Sequence, residues 1–422
     1  MIRTPDTISD AFHSLSSSGR APVIMQVLPA LNAGGVEQGV VDINAAIIRA
    51  GGHSIVVSAG GRRVAEITKA GGTHIALPVD SKNPLTIARN ISRLRKIIRE
   101  ENVDIVHACS RAPAWSAGRA VIGTSARYVT SCHAAHKITS ALKRLYNSSI
   151  AKGERVIAVS HFLADYLEQN YQVAPEKICV VHRGVALEKF HPNSVTPERL
   201  IKIARQWRIP DGAAVIMLPG RISRTKGHMF LIDAMRQLRQ RDVFCLFVGS
   251  DTGNENYRKE LEAYISGKEL GGSVRLVNAC DDMPAAYMIA TVVVAPSLVP
   301  EGFGRVAVEA QAMGRPVIAT DHGGVRETIL RDETGWLVPC GDVAGLASAL
   351  SEALALDTRQ RALLATRAMS HVAQRFTNER MCAGTLDVYA ELLEEAGIRA
   401  LPSNDEPRMT VHPAVDFIAV KK

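Results

Sequence analysis

Two carboxylates separated by seven residues, Glu301 and Glu309, flank a glycine-rich turn that could bind a sugar phosphate. The apolar run at 291–295 predicts a buried strand before the turn, and residues 310–313 predict a helix after it. The first N–H groups of a helix have no partner within the helix, and the helix dipole favours anions there. The pattern therefore indicates an anion site with carboxylates beside it.

The turn itself contains Gly302, Phe303 and Gly304, and its glycines let a ligand come close to the backbone. If the helix begins near Phe303, Glu309 lies about two turns in, on roughly the same face as Gly302. Backbone amides would hold a charged group, while the carboxylates accept hydrogen bonds from hydroxyls. A helix start decorated with Glu for its dipole is the plainer alternative.

A basic turn, residues 220–227, follows the first predicted strand of the second half of the chain. Its Arg221 and Lys226 could neutralise a diphosphate, Arg with a planar fork and Lys as a point charge. An ordinary solvated loop remains the alternative. Arg224 and His228 are interpreted as surface or capping residues.

A similar strand-to-helix turn lies near the start of the chain, where Gly34 and Gly35 precede Glu37. No G-x-G-x-x-G occurs there and no acidic residue closes the next strand, 54–60, which excludes a dehydrogenase fingerprint. His133 follows another predicted strand, at a carboxyl end that faces a cleft. Glu37 could instead serve the first turn of its helix, and His133 could be a structural histidine.

Alternation of apolar strands with helical patterns organises the whole chain. Strands are predicted at 22–28, 54–58, 73–77, 104–108, 127–131, 155–159 and 177–182, then at 213–218, 243–248, 274–277, 291–295, 316–320 and 336–338. Helical patterns in the first half lie at 36–50, 84–100, 139–150 and 160–170. Such alternation predicts parallel sheets with helices on both faces.

The pattern pauses near 186–196, which predicts two doubly wound α/β domains joined by a hinge. We assign residues 1–20 to a disordered leader, 21–188 to the first domain, 189–375 to the second and 399–422 to an irregular tail. A helix is predicted within 376–398, before the tail, with Thr377 or Asn378 as its N-cap. Ligands in such sheets bind beyond the carboxyl ends of the strands, so two facing domains form a cleft.

Composition sets the class of protein. The 422 residues are 46% hydrophobic and 22% charged, as in globular proteins with more than one domain. The seven cysteines are scattered and odd in number, which favours a reducing compartment. We find no signal-peptide pattern and expect a cytoplasmic protein. The net charge of +8 admits anionic partners, but the low aromatic content and the absence of basic–aromatic interleaving disfavour nucleic acid.

Four segments together resemble glycosyltransferase family 4. They are the Glu-x7-Glu stretch at 301–309, the segment 220–227, which is similar to G-R-x4-K-G, the segment 34–37, which is similar to the GGVE loop, and His133, which resembles the cleft histidine of the family. The resemblance covers most of residues 22–395. It implies the GT-B fold, two Rossmann-like domains facing across a cleft with the last helix crossing back onto the first domain.

The resemblance also implies roles for these residues. Glu309 would accept hydrogen bonds from ribose, and Glu301 would hold the transferred sugar. The implied catalytic set is His133, Arg221, Lys226 and Glu301. The implied donor-binding set is Gly34, Gly35, Gly220, Arg221, Lys226, Glu301, Gly302, Phe303, Gly304 and Glu309, with Glu37 on the acceptor side.

No D-x-D and no metal-ligand spacing occur in the sequence, so we expect neither a metal nor another cofactor. Two positions depart from the family pattern. Ala186 replaces a frequent acid in the hinge segment, and Arg305 stands where an apolar residue is more usual. Glu327, in a Gly-Gly turn, is expected to buttress the site.

The predicted helix 84–100 carries a basic face with Arg89, Arg93 and Lys96 opposite an apolar stripe that we assign to the core. The basic face could be only solvated, or it could contact anionic lipid or recognise an acidic acceptor. Contact with lipid would make the protein peripheral at the cytoplasmic face of a membrane.

We therefore expect a retaining, metal-independent glycosyltransferase that uses a nucleotide sugar and a glycan or lipid-linked acceptor, in cell-envelope (lipopolysaccharide-type) biosynthesis. A GT-B epimerase and a non-catalytic nucleotide-sugar-binding protein are the alternatives. A phosphorylase would need a pyridoxal lysine motif, which is not found. Donor base, sugar, acceptor and oligomeric state are left open by the sequence.

Overall fold

The computed structural model of the protein describes residues 20–32, 34–238 and 242–396. The predicted leader, apart from residue 20, and the predicted tail lie outside these residues. The first domain is built on a parallel sheet with the order β3-β2-β1-β4-β5-β6-β7. Its strands are β1 Val23–Val27, β2 His53–Ser58, β3 Thr73–Ala76, β4 Ile105–Ala108, β5 Arg127–Cys132, β6 Arg155–Ala158 and β7 Ile178–Val180.

The second domain has a six-stranded parallel sheet with the order β10-β9-β8-β11-β12-β13. Its strands are β8 Ala214–Pro219, β9 Val243–Val248, β10 Val274–Val277, β11 Val292–Ala295, β12 Val317–Thr320 and β13 Trp336–Val338. The predicted pair of doubly wound domains is confirmed. In both sheets the strand order reverses beside the first strand, β1 or β8, and such a switch point is where ligands bind.

Helices cover both sheets. In the first domain they are α1 Gly35–Arg49, α2 Val64–Lys69, α3 Pro84–Glu100, α4 Arg111–Val121, α5 Ala141–Asn147 and α6 His161–Tyr171. In the second they are α7 Pro197–Gln206, α8 His228–Met235, α9 Glu255–Gly267, α10 Met283–Ile289, α11 Arg305–Ala312, α12 Val325–Thr328, α13 Val343–Ala355 and α14 Thr358–Arg375, followed by α15 Asn378–Glu395.

Helices α2 and α4 are absent from the predicted set, and the helix predicted at 139–150 is shorter. Helix α4 contains Pro113 and mostly small side chains, so it lacks the apolar periodicity that marks a helix. The predicted 139–150 helix divides into α5 and a 3₁₀ turn at 148–151. Helix α3 matches its predicted range, and its Leu94 and Ile98 are buried while its basic face is exposed.

The last helix, α15, crosses back onto the first domain, as predicted. Its Met381, Leu386 and Leu393 share one buried cluster with Ile24 of β1 and Ile47 of α1. The Tyr389 hydroxyl also lies 2.6 Å from Nδ1 of buried His107 on β4. Burying this apolar face therefore completes the core of the first domain with residues from the end of the chain.

Two segments pass between the domains side by side. The N–H of Val185 donates to the carbonyl of Phe376 at 2.9 Å, and the N–H of Asn378 donates to the carbonyl of Val185 at 3.1 Å. The hinge is thus a pair of hydrogen-bonded segments. Among the described residues, no helix combines the length and hydropathy needed to cross a bilayer.

Candidate active site

The glycine-rich turn after β11 lies against the first domain. Gly304 has φ of 91°, a left-handed conformation that favours glycine, and it caps α11. The helix therefore begins at Arg305, two residues after the start near Phe303 that the sequence suggested as a condition, and Glu309 lies about one turn in. Phe303 instead packs edge-on against Phe376 in a buried cluster.

Gly302 has its neighbours in the first domain. Its carbonyl accepts a hydrogen bond from Oγ of Ser160 at 2.5 Å. A Cβ at Gly302 would overlap the carbonyl oxygen of His133. Only glycine lets the turn approach the strand end that carries His133, so this turn joins the two walls of the cleft.

Glu301 is held by a cation and a hydroxyl. Lys226 donates to Oε1 of Glu301 at 2.7 Å, and the Ser297 hydroxyl donates to the same oxygen. Burial alone would raise the pKa of Glu301, but Lys226 and Ser297 outweigh it and lower the pKa below the ordinary value. The carboxylate is therefore ionised, and the structure brings Glu301 and Lys226 together.

Glu309 also has partners on both of its oxygens. Arg305 donates to Oε1 at 2.5 Å, and the buried Tyr287 hydroxyl donates to Oε2 at 2.8 Å. Glu309 and Arg305 line a cavity of about 640 Å³ that extends to the loop around Cys280 and to Gly34 across the cleft. Each of these oxygens has a second lone pair, so a ligand hydroxyl could share Glu309 with these partners or displace one of them.

The basic turn follows β8, and Gly220 lies beside the stem of Lys226. Arg221 is exposed at this turn. Arg224 points away, paired with Glu260 and over the ring of Tyr257, in keeping with its interpretation as a surface residue. The same interpretation was wrong for His228, which is buried against Phe247 and Tyr257. The turn thus contributes Lys226 to the site directly, whereas Arg221 of the same turn is exposed.

The opposite wall is formed by the loop after β1. The carboxylate of Glu37 folds back over Gly34. Next to it, Gly35 leaves room for Arg305 of the second domain, since a Cβ there would stand 2.7 Å from a guanidinium nitrogen. The loop therefore meets the helix of the Glu-x7-Glu stretch across the cleft.

His133 is fixed by a residue to which the sequence reasoning gave no role, Arg183. One guanidinium nitrogen of Arg183 lies 3.1 Å from Nδ1 of His133, and another donates to the carbonyl oxygen of Gly35. Because Arg can only donate, Nδ1 accepts and the proton of a neutral His133 is on Nε2. Burial and the charge of Arg183 hold the pKa of His133 well below its ordinary value.

Nε2 of His133 and Nε of Arg183 are buried without a hydrogen-bond partner among the described residues. Buried polar atoms of this kind are rare in folded proteins, and a bound ligand or water is a common explanation for them. The only sequence signal for Arg183 was a basic residue next to the hinge glycine, Gly184.

Glu327 links the domains beside this site. Its two carboxylate oxygens accept hydrogen bonds from the N–H groups of His161 and Phe162, at the start of α6, each at 2.9 Å. His182 lies 2.8 Å from the same carboxylate. Burial would raise the pKa of Glu327, but these donors lower it. Glu327, which was expected to support the site, therefore joins the two domains through hydrogen bonds.

The ligand atoms of His161, His182 and Glu327 lie within 4.8 Å of one another, close enough to consider a metal. The backbone donors already occupy both oxygens of Glu327. This cluster is explained by helix capping and domain contact.

Two family models match the chain. The model described as Glycosyltransferase Family 4 matches residues 33–189, and the model described as Glycosyl transferases group 1 matches residues 201–369. The first range carries the Gly34–Gly35 loop and His133, and the second carries both carboxylates and the basic turn.

Among solved structures, a glycosyltransferase from Rickettsia africae is 35% identical, covers 88% of this chain and 99% of its own, and has a TM-score of 0.81. The structure of Anabaena Alr3699/HepE in complex with UDP and glucose is 22% identical over 87% of this chain and 98% of its own, with a TM-score of 0.76. These likenesses confirm the predicted GT-B fold.

Among sequences, the D-inositol 3-phosphate glycosyltransferase of Salinispora tropica is 34% identical over 259 residues, 58% of this chain and 52% of the relative. The match therefore spans about half the length of that relative.

Proposed function

The chain belongs to the group 1, family 4 glycosyltransferases, and from this premise we propose that it transfers a sugar from a nucleoside diphosphate donor to an acceptor with retention of configuration. The observation that carries the proposal is the arrangement of Glu301 and Glu309. Both carboxylates flank one turn at the cleft, and each is already bonded to a cation. A sugar phosphate needs this mixture of acceptors for hydroxyls and cations for phosphate.

The nucleoside is assigned to the 640 Å³ cavity, with Glu309 accepting hydrogen bonds from the ribose hydroxyls. The loop at Cys280 would then contact the base. The UDP complex of the Anabaena protein, which shares the fold, supports a nucleotide donor here. A panel of donors distinguishes the base and the sugar.

The sugar is assigned to the space beside Glu301, His133 and the turn amides of Phe303 and Gly304. Glu301 would accept from sugar hydroxyls, and Nε2–H of His133, which has no partner among the described residues, would donate to the sugar. Lys226 would turn from Glu301 toward the diphosphate as negative charge develops on the leaving group. Preorganised stabilisation of such charge usually contributes more to catalysis than any other single effect.

The transfer step breaks the bond between the anomeric carbon and the phosphate oxygen and forms one to the acceptor oxygen on the same face. The acceptor proton passes to an oxygen of the departing phosphate. Glu301, ionised and bonded to Lys226 and Ser297, serves as a hydrogen-bond acceptor in this step.

Metal independence is part of the proposal. The diphosphate charge would be met by Lys226, by Arg221 and by the N-terminus of α11, whose first amides follow Gly304. Activity in the presence of a chelator tests this directly.

The acceptor is assigned to the first domain. Helix α5 exposes Leu142 and Leu145 beside Lys143 and Arg144, and α3 exposes its basic face. Apolar and cationic side chains together suit a lipid-linked acceptor or the anionic cytoplasmic leaflet of a membrane. We assign the enzyme to cell-envelope glycans of the lipopolysaccharide type because of this surface. The relatives named for an inositol phosphate acceptor support an acceptor with anionic character.

The test is release of nucleoside diphosphate from UDP-, GDP- and ADP-sugars in EDTA, with analysis of the sugar product. Slow hydrolysis of one donor, undiminished by EDTA, is the expected result and identifies base and sugar. Isomerised donor would replace the proposal with an epimerase. Absence of both turnover and calorimetric binding across the panel would contradict a nucleotide-sugar enzyme.

A further inference from the structure

Arg183 is a buried cation that makes no hydrogen bond to a carboxylate of the described residues. Only 8% of the residue is exposed. Its hydrogen bonds go to a neutral carbonyl, that of Gly35, and to a neutral ring nitrogen of His133, while its Nε has no partner in the described part of the chain. Burying an uncompensated charge is costly, because the ion loses its hydration.

The two acids whose charges favour the ionised form of Arg183, Asp42 and Glu37, make no hydrogen bond to it within the described residues. Asp42 accepts hydrogen bonds from the side chains of Gln38 and Asn378, and Glu37 is folded over Gly34. Both act on Arg183 only through space. Burial still lowers the pKa of Arg183 to about 10, so the side chain stays charged at neutral pH.

A second guanidinium converges on the same loop. The point where a Cβ of Gly35 would stand is 2.7 Å from one nitrogen of Arg305 and 3.6 Å from one nitrogen of Arg183. The two like charges come from opposite domains. Of these two arginines, only Arg305 is bonded to an acid of the described chain, namely Glu309.

A ligand in the 640 Å³ cavity would change how the charge of Arg305 is compensated. If a ribose hydroxyl displaces Arg305 from Oε1 of Glu309, two guanidinium groups then face one loop and neither is hydrogen-bonded to an acid of the described chain. An anion at the Gly34–Gly35 loop would compensate both, through charge-assisted hydrogen bonds.

We propose that Arg183 and Arg305 form an anion-binding pair at the Gly34–Gly35 loop, which receives phosphate charge of the donor opposite Arg221 and Lys226. This inference rests on the proposed function. It makes Arg305 a phosphate ligand, and it makes Arg183 both a phosphate ligand and the residue that orients His133.

The experiment compares a charged probe with its uncharged counterpart. Affinities of UDP and uridine, of GDP and guanosine, and of ADP and adenosine are measured by calorimetry for the wild type and for Arg305→Leu and Arg183→Met. Each variant is expected to lower the preference for diphosphate over nucleoside by about tenfold to a hundredfold. Arg305→Leu should also leave nucleoside affinity unchanged or raise it, because Glu309 is released.

A matched control is Arg361→Met. In the described part of the chain, Arg361 likewise donates to carbonyls, those of Thr291, Ala353 and Leu356, but it lies in α14. Its variant should lower the melting temperature without changing the preference. Arg183→Lys, which keeps the charge, should retain more of the preference than Arg183→Met.

Equal losses of affinity for nucleoside and diphosphate in Arg305→Leu would overturn the proposal of an arginine pair. Equal effects of Arg183→Lys and Arg183→Met on the preference would do the same. Unchanged preference in both arginine variants, with normal binding by the wild type, would overturn the pair while leaving the donor assignment intact. A wild type that binds none of the six probes would overturn the proposed function and, with it, this inference.

Discussion

The two walls of the cleft differ in how their charges are satisfied. On the wall of the second domain, Glu301 is bonded to Lys226 and Glu309 to Arg305, so each acid has a cation before any ligand arrives. On the wall of the first domain, His133 and Arg183 each bury a nitrogen that finds no partner within the described residues.

The difference indicates that the two domains contribute to ligand binding in different ways. Under the proposed function, the paired charges would let the second wall recognise the donor by exchanging partners. The first wall has unsatisfied donors, whose cost is relieved when a ligand supplies acceptors. Donor recognition would then lie mainly on one domain, and the final assembly of the site would depend on the other.

The largest effect is expected from Lys226→Ala. It removes the cation from the second wall, leaves Glu301 with Ser297 alone and should raise the pKa of Glu301. We expect transfer to fall by about 10²- to 10³-fold, because developing charge on the leaving group loses a donor. Nucleoside diphosphate release is the measurement. Arg224→Ala, in the same turn but paired with Glu260, should keep its activity, and normal turnover in Lys226→Ala would rule out the diphosphate role.

Glu309→Ala affects the other pair of the same wall. The ribose would lose a charged acceptor, while Arg305 and Tyr287 lose their bonded partner, so nucleoside affinity should fall by about tenfold to a hundredfold. Calorimetry with the nucleoside of the preferred donor measures this. Exposed Glu333 provides the control, as Glu333→Ala, and equal affinities for the two variants would refute the ribose assignment.

Gly302→Ala tests the contact between the walls. Its Cβ would overlap the carbonyl oxygen of His133, so the turn and the strand end must separate. We expect a loss of about 2 kcal/mol in the free energy of unfolding, together with weaker donor binding. Gly267→Ala is the control, since a Cβ at Gly267 would meet open space within the described chain. Wild-type stability and affinity in Gly302→Ala would show that the contact is loose.

Glu327→Gln tests the hydrogen bonds that Glu327 makes between the domains. It should have the smallest effect, a loss of about 1 kcal/mol in the free energy of unfolding at neutral pH. The pKa of Glu327 is lowered in the folded protein, so its contribution is complete above the ordinary carboxyl pKa and is lost as pH falls through the folded value. The difference in unfolding free energy between wild type and variant should therefore shrink below about pH 4. Urea denaturation from pH 7 to pH 3 measures this difference, and a difference that stays constant would contradict an ionised Glu327 in the contact between the domains.

Much of the fold was predictable because strands that are covered on both faces are apolar throughout, as β9 and β11 are. Turn chemistry likewise located the segments at 34–35, 220–227 and 301–309 from the amino-acid types alone. The start of α11 was displaced, since the left-handed Gly304 and the burial of Phe303 depend on packing rather than on pattern.

The partners inside the site were less accessible to sequence reasoning. Arg183 meets Gly35 across 148 positions of the chain, and nothing local to either residue signals that contact. Tyr287 beneath Glu309 looks from the sequence like an ordinary core aromatic. Tertiary distances decide which cation bonds to which acid. The sequence therefore identified the charged residues but not the pairs that they form.

The crossing of α15 has a consequence for how the protein is made. The first domain precedes residue 190, yet its buried cluster includes Met381, Tyr389 and Leu393. While a ribosome is still synthesising the second domain, the first must wait with an uncovered apolar face and with His107 lacking Tyr389. A released fragment ending after β7 should therefore aggregate or recruit chaperones, whereas the second domain has all its strands within its own sequence and can fold as it emerges.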